Sequence, residues 1–412
     1  MAGYEDLPYE LILQILECII AERSCRLAPL ATVCRLWQQT IEAVLFGEVS
    51  IYVTRASILS GRTTPSTMAS TIRGPRLRWL KKLRLIVNFD EHPWSFATIT
   101  DYPQRRNQLG TGFVDIIDSF VDTLNGWKRG EAFLDLEIHE EKSCSHYLNQ
   151  YDSDLIRGPR RSIDCVRSIR YTQSHYSYRC YCCPDRELLS FIASAIPESL
   201  HEIHIVFKEL DPGRFIEVTE KWDFLPKGVK SLSIRFPDQQ KLVQEKDVIA
   251  SLREVSMLLE TLQVSHHVDI MDLCIPFTLG YPRPDLPTWP HLRSLSMAFS
   301  ALREIERITT TEMTYVARAA LRMPILQKCE LWCAGDGRNK RAGYFRYSIE
   351  GKYAYATLET NWVSHLSKHF FNEWRAVNRQ HTSHPLQTEV REMVSVDGRD
   401  ERPSQDALPV YN

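Results

Sequence analysis

The chain has 412 residues, 43% hydrophobic and 25% charged, with a formal net charge of −2 and a pI near 6.7. That length exceeds what one simple core holds and allows two or three domains, and the composition is that of a globular chain rather than a disordered one. The near-neutral balance argues against a broad electrostatic footprint for nucleic acid.

The first fifty residues run LPYELILQILECII, a short polar break, then LAPLATVCRLWQQTIEAVLF. Asp6 stands where an N-cap belongs and Pro8 falls in the first turn, where a missing N–H costs nothing. Leu11, Ile15 and Ile19 recur every four residues, with Ile12, Leu16 and Ile20 beside them. That apolar arc is wider than one packing face requires. ERSCR breaks the pattern. A second helix then carries Leu27, Leu30, Val33, Cys34, Trp37 and Ile41 on one stripe, closed by Val44, Leu45 and Phe46. The surplus of apolar side chains marks a docking surface for another protein, against the plainer reading of a hairpin that caps the downstream domain. Gln14 and Glu17 interrupt even this richest stretch, so no apolar run reaches the roughly 18 residues of a membrane span. The acidic MAGYEDLPYE lacks the basic n-region of a secretory signal.

These residues resemble an F-box: Leu7-Pro8, Glu10-Leu11, Ile15-Leu16, Val33-Cys34, Trp37 and Leu45-Phe46 follow the family's order over about residues 5–50. The charged AERSCR segment departs from the pattern. The resemblance implies that the module binds the Skp adaptor of a cullin–RING ubiquitin ligase, while the rest of the chain selects the target. It further implies that Leu7, Pro8, Leu11 and Ile15 lie in a groove of the adaptor, with Leu30, Val33 and Trp37 completing the contact.

Downstream, the form apolar-x-x-apolar-x-apolar begins at Leu80, Phe133, Val166, Leu200, Val229, Leu259, Leu292 and Leu326. The first spacing is 53 residues, across an insertion at 88–112, and the others lie between 29 and 34. Periods near 30 with this core suggest a leucine-rich-repeat solenoid of one strand and one helix per repeat. Helical spacing over 112–127, 185–196, 246–258 and 311–323 supplies the helices, and Pro197, Pro226 and Pro324 supply stops. Only the first strand reaches the Asn (Asn88) that the repeat family uses at its turn. The competing reading is a generic α/β domain with parallel strands. Positions alternating with the apolar ones face away from the core. Among them Arg84, Glu137, Arg170, His204, Arg235, Gln263, Glu330 and Trp332 are candidates for binding a target protein.

Residues 343–360 alternate aromatic and polar side chains around Glu350-Gly351, a hairpin pattern. Trp362, Leu366, Phe370, Trp374 and Val377 then share one helical face. Hairpin and helix together serve as a cap for an open solenoid, or alternatively as a second partner site. From 381 the chain is polar and reads as a disordered tail.

The candidate chemistry is thin. Eleven cysteines, an odd number scattered over a long chain, read as reduced thiols in a cytosolic or nuclear protein. Cys180, Cys182 and Cys183 cluster near His175 and Cys165, but zinc wants two separated ligand pairs and the second is missing. His266, His267, Asp269 and Asp272 directly follow a strand, so alternate members point oppositely. His139-Glu140 lacks the second His of a zinc protease helix. Gly110-Thr111-Gly112 lacks a third glycine, and Gly335-Asp336-Gly337 lacks the Gly-Lys-Ser/Thr of a phosphate loop. Arg157, Arg160, Arg161, Arg167 and Arg170 form a basic run suited to an acidic or phosphorylated motif.

The sequence thus leads to a non-catalytic protein without metal or cofactor, whose domains are 1–50, 51–342, 343–380 and 381–412. The expected fold class is α/β: a short helical F-box module, then a leucine-rich-repeat-like solenoid with a hairpin-and-helix cap. Its expected partners are the Skp adaptor, through it the cullin–RING ligase, and a target protein, with neither nucleic acid nor membrane. The alternative is a repeat scaffold for protein interaction unrelated to ubiquitination.

Overall fold

A computed structural model describes residues 8–22, 27–54, 57, 64–88, 115–127, 134–142, 163, 165–173, 199–207, 225–226, 228–235, 246–278, 285–303, 306–333, 342–360 and 371–392. They fall into two units, Met1–His201 and Glu202–Asn412.

In the first unit, α1 (Tyr9–Ala21) starts one residue after Pro8, which is itself the N-cap, and its carbonyl accepts from Leu11 and Ile12 N–H. Asp6, expected in that role, lies outside the described residues. A short α2 (Leu27–Leu30) and α3 (Arg35–Leu45) complete the helical module. Ile12 and Leu16 from α1 pack with Trp37 and Ile41 from α3 in a small core, edged by Ile19, Leu27, Leu30 and Cys34.

The chain passes from α3 into β1 (Glu48–Thr54) within two residues. Gly47 makes that possible, because a Cβ there would lie 3.0 Å from the Ala43 carbonyl oxygen. Its own carbonyl accepts from both Lys81 N–H and Lys82 N–H, at 2.9 and 3.0 Å. After α4 (Thr64–Thr71) and α5 (Pro75–Trp79) comes β2 (Lys82–Asn88). Arg76 on α5 donates to Glu42 on α3 at 2.7 Å and stacks over Phe46, tying the helices to the start of the sheet. Residues 115–126 form α6, burying Ile116, Ile117, Phe120 and Leu124. β3 (Leu134–Lys142) and β4 (Val166–Gln173) come next, and β1 to β4 pair in chain order, all parallel. The register aligns Ile51, Leu85, Ile138 and Tyr171 in one buried row and Ser50, Arg84, Glu137 and Arg170 in the polar row beside it.

The second unit contains β5 (Glu202–Phe207), β6 (Ser231–Arg235), α7 (Lys246–Ser256), β7 (Thr261–Asp269), α8 (Ile270–Cys274), β8 (Ser294–Ala298), α9 (Glu306–Ala320) and β9 (Lys328–Cys333). It ends with β10 (Gly343–Glu350), β11 (Tyr353–Thr360), α10 (Asn372–His381) and β12 (Gln387–Glu392). Its strands also pair in chain order. Every pairing described is parallel except those of β10, which runs antiparallel to both β9 and β11. Leu232, Leu262, Leu295, Cys329 and Tyr347 form a buried row across the strands. Under the hairpin of β10 and β11, Trp374 of α10 is fully buried against the rings of Phe345 and Tyr347, at 4.8 and 5.2 Å. Trp289 is buried likewise, its Nε1–H donating to Ser256 Oγ at 2.7 Å.

The expected fold class requires correction. The eight apolar-x-x-apolar-x-apolar segments enter β2 to β9, but the architecture is not a helical module followed by a strand–helix solenoid. The strands form large, mixed and mostly parallel sheet structure. The hairpin joins that structure as β10 and β11 instead of capping it, and β12 continues it where a disordered tail was expected. Among the described residues the strand connections are not copies of one unit: β1 (EVSIYVT) precedes the pattern, and α8 leaves β7 with no intervening turn. Leucine spacing reports which side chains are buried, and a mixed sheet buries them with the same period as a solenoid does.

Candidate functional site

The helical module leaves apolar surface over. Leu11 and Ile15 lie one helical turn apart on α1 and are 45% and 40% exposed, and Val33, just before α3, is 55% exposed. Val44 and Leu45 at the end of α3 are exposed as well. Of the other residues expected to meet an adaptor, Pro8 is exposed, Leu30 is half-buried at the edge of the small core, and Leu7 lies outside the described residues. Trp37 is buried in the module's own core, where it holds α1 to α3. The arc over Leu11 and Ile15 is therefore separate from the arc of Ile12 and Leu16 that closes the module.

The polar strand positions form two separate groups. In the first unit, Arg84, Glu137 and Arg170 come together. The buried Glu137 carboxylate accepts from Lys82 Nζ and Arg84 Nε, both at 2.8 Å, and from His139 Nε2 at 3.2 Å, with Arg170 at 3.6 Å. Arg84 also pairs with Glu48. Burial pushes the Glu137 carboxyl up, but the bonds from His139, Lys82 and Arg84 outweigh it and hold the group well below its ordinary range.

In the second unit the remaining candidates are spread over several strands. His204 lies 3.7 Å from Glu202, Gln263 accepts from Ser233 at 3.4 Å, and Arg235 and Trp332 are half-buried. Glu330 is buried, accepting from Lys328 at 2.9 Å and from the Tyr344 hydroxyl at 2.5 Å. Burial, with that carboxylate beside it, pushes the Tyr344 phenol up.

The candidate chemistry does not converge among the described residues. Asp269 is used as the N-cap of α8, accepting from Met271 N–H at 2.8 Å and Ser300 N–H at 2.6 Å. His266 and His267 lie on β7. Cys165 is buried and donates to the Leu124 carbonyl. His175, Cys180, Cys182, Cys183, Arg157, Arg160, Arg161 and both glycine pairs lie outside the described residues. Among the described residues no group of three or more His, Cys, Asp or Glu is placed to hold a metal ion. No described helix is long and apolar enough to cross a membrane.

Sequence reasoning missed one feature. The polar face of β10, β11 and β12 lines a cavity of about 520 Å³, open to solvent, formed by Tyr344, Arg346, Glu350, Tyr355, Thr357 and Glu389, among others. Its signal was the alternation in GYFRYSIE, which gives one apolar and one polar face.

Two-unit, mixed α/β architecture with an exposed apolar helical surface is the class that these features define. Residues 206–408, all within the second unit, match the model of a family of unknown function (DUF6546). No curated protein matches the chain.

Proposed function

We propose that this protein is a non-catalytic, target-recognising subunit of a Skp–cullin–F-box ubiquitin ligase, with α1 to α3 binding the Skp adaptor. The observation that carries the reading is the exposure of Leu11 and Ile15 on α1 and of Val33 between α2 and α3, in a module whose core is already filled by Ile12, Leu16, Trp37 and Ile41. A monomer gains nothing from that exposure. Covering the exposed halves of those three side chains is worth about 1 kcal/mol each, in a small helical interface whose energy sits in few anchors. The order of F-box residues over 5–50 supports the identity of the partner. The remainder of the chain then holds a target near the ubiquitin-charged enzyme, and the mechanism is proximity rather than chemistry. Such a protein acts in the cytosol or nucleus.

The test is co-expression of the full chain with a Skp adaptor, followed by size-exclusion chromatography. The wild type is expected to co-elute, and the triple change Leu11→Asp, Ile15→Asp, Val33→Asp to elute alone with an unaltered melting temperature. Trp37→Ala is uninformative because it opens the core. If the wild type does not co-elute, or the triple variant still does, the reading is wrong.

A further inference from the structure

We infer that the polar face of β10, β11 and β12 is a binding site for an extended polypeptide segment carrying an acidic and a basic side chain two residues apart. The inference goes beyond the role of the N-terminal helices and does not depend on it.

Arg346 is the starting point. Its Nε–H is buried and has no hydrogen-bond partner, while the side chain as a whole is 43% exposed. The guanidinium thus has its inner edge sealed and its outer fork presented to the cavity. The Glu350 carboxylate stands 3.8 Å away, beyond hydrogen-bond distance. Arg391, on the same face, contrasts with it: Glu389 holds its guanidinium at 2.6 Å and Glu359 lies at 3.6 Å. An unpaired buried donor costs free energy in the isolated protein, and an exposed fork beside it is suited to a planar anion. Opposite Arg346 on β11 stands Thr357, with Tyr355 two residues along the same strand, and both line the cavity.

The charge around this fork selects the anion. Glu350, Glu359 and Glu389 border the same cavity as Arg346 and Arg391, so its lining keeps one negative charge in excess and disfavours a dianion such as phosphate. A single carboxylate on Arg346, accompanied by a cation beside the acids, adds no net charge to the site. The geometry selects the carrier. Glu359 lies one strand over from Arg346 and one outward-facing position along, because Arg346 pairs with Thr357 and Tyr344 with Glu359. Outward-facing positions on a strand are separated by about 6.8 Å, which is also the separation of same-face side chains on an extended ligand. An acidic side chain seated on Arg346 therefore brings the residue two further along over Tyr344, with Glu359 one strand spacing of about 4.8 Å to the side and within reach of a long basic side chain. The cavity falls within the roughly 300–1,000 Å³ of sites for small molecules and short segments.

Fluorescence anisotropy with the full-length protein tests this, using labelled, acetylated serine pentapeptides bearing Glu and Lys at the second and fourth positions. Controls replace Glu, Lys or both by Gln, and inorganic phosphate is the competitor. The mixed-charge peptide should bind about tenfold tighter than either singly charged one, and Arg346→Gln should remove about tenfold of its affinity. Thr357→Val, which leaves the charges in place, should weaken binding about threefold and guards against a folding defect in the arginine variant. The inference is overturned if no peptide binds at millimolar concentration, if the Lys-free peptide binds as well as the mixed one, if phosphate competes at equal concentration, or if folded Arg346→Gln binds unchanged.

Discussion

Replacing Glu137 by Gln is expected to destabilise the first unit by about 3 kcal/mol at pH 7. The carboxylate is buried and receives two 2.8 Å bonds from Lys82 and Arg84, each charge-assisted and worth roughly 1.5–3 kcal/mol. Removing one member of a buried pair typically costs about 3–5 kcal/mol because the other is stranded. Here the low end applies, since Lys82 and Arg84 remain partly in water and Arg84 keeps Glu48. The pH dependence has a definite sign. The folded carboxyl titrates well below the ordinary 4.5, so on acidification the unfolded chain takes up its proton first. The stability contributed by Glu137 is complete above about pH 5 and falls below it, by about 0.8 kcal/mol between pH 7 and pH 4. Urea unfolding at both pH values, read by hydrogen exchange of the β2 and β3 amides, isolates the first unit from the second. A gap between wild type and variant below about 1 kcal/mol at pH 7, or one that widens toward pH 4, would refute the reasoning.

Two further substitutions concern the second unit. Burial, with Asp269 nearby, pushes the Asp272 carboxyl up to about 6, and its Oδ2 is buried without a partner. Because the folded value is raised, ionisation weakens the fold as pH rises through about 6. Asp272→Asn should therefore stabilise by about 1–2 kcal/mol at pH 8 and by nothing below about pH 4, as thermal melts across that range will show. Gly351 turns the β10–β11 hairpin at φ +65° with open space where a Cβ would stand. Gly351→Ala should then cost about 1 kcal/mol from backbone strain alone in a denaturant titration, and a loss above about 2 kcal/mol would point to a contact not seen in the turn.

The leucine pattern located strands well because Leu83, Leu136, Leu232, Leu262 and Leu295 are all buried. It located neither β1 nor β12, whose EVSIYVT and QTEVRE carry no leucine and, in β12, an exposed Val390. Nor did it reveal which strands are neighbours or in what direction. Alternation in GYFRYSIE predicts a strand, but pairing with β9 is a long-range choice that local periodicity does not encode. The surplus on α1 was legible as a count, whereas the division into a filled arc at Ile12 and Leu16 and an open arc at Leu11 and Ile15 required the position of Trp37. The isolation of Arg346 Nε was not legible at all, because it depends on which groups fail to reach it.

The passage through Gly47 has a mechanical corollary. Between the last turn of α3 and the first residue of β1 there is no slack, and the glycine carbonyl is clamped from below by two amides of the neighbouring strand's approach. A pull on the outer arc of the helices would therefore also reorient β1 and the strands paired to it, with no hinge to absorb a change of heading. Lengthening that junction by a few flexible residues should leave grip intact while letting the aim drift.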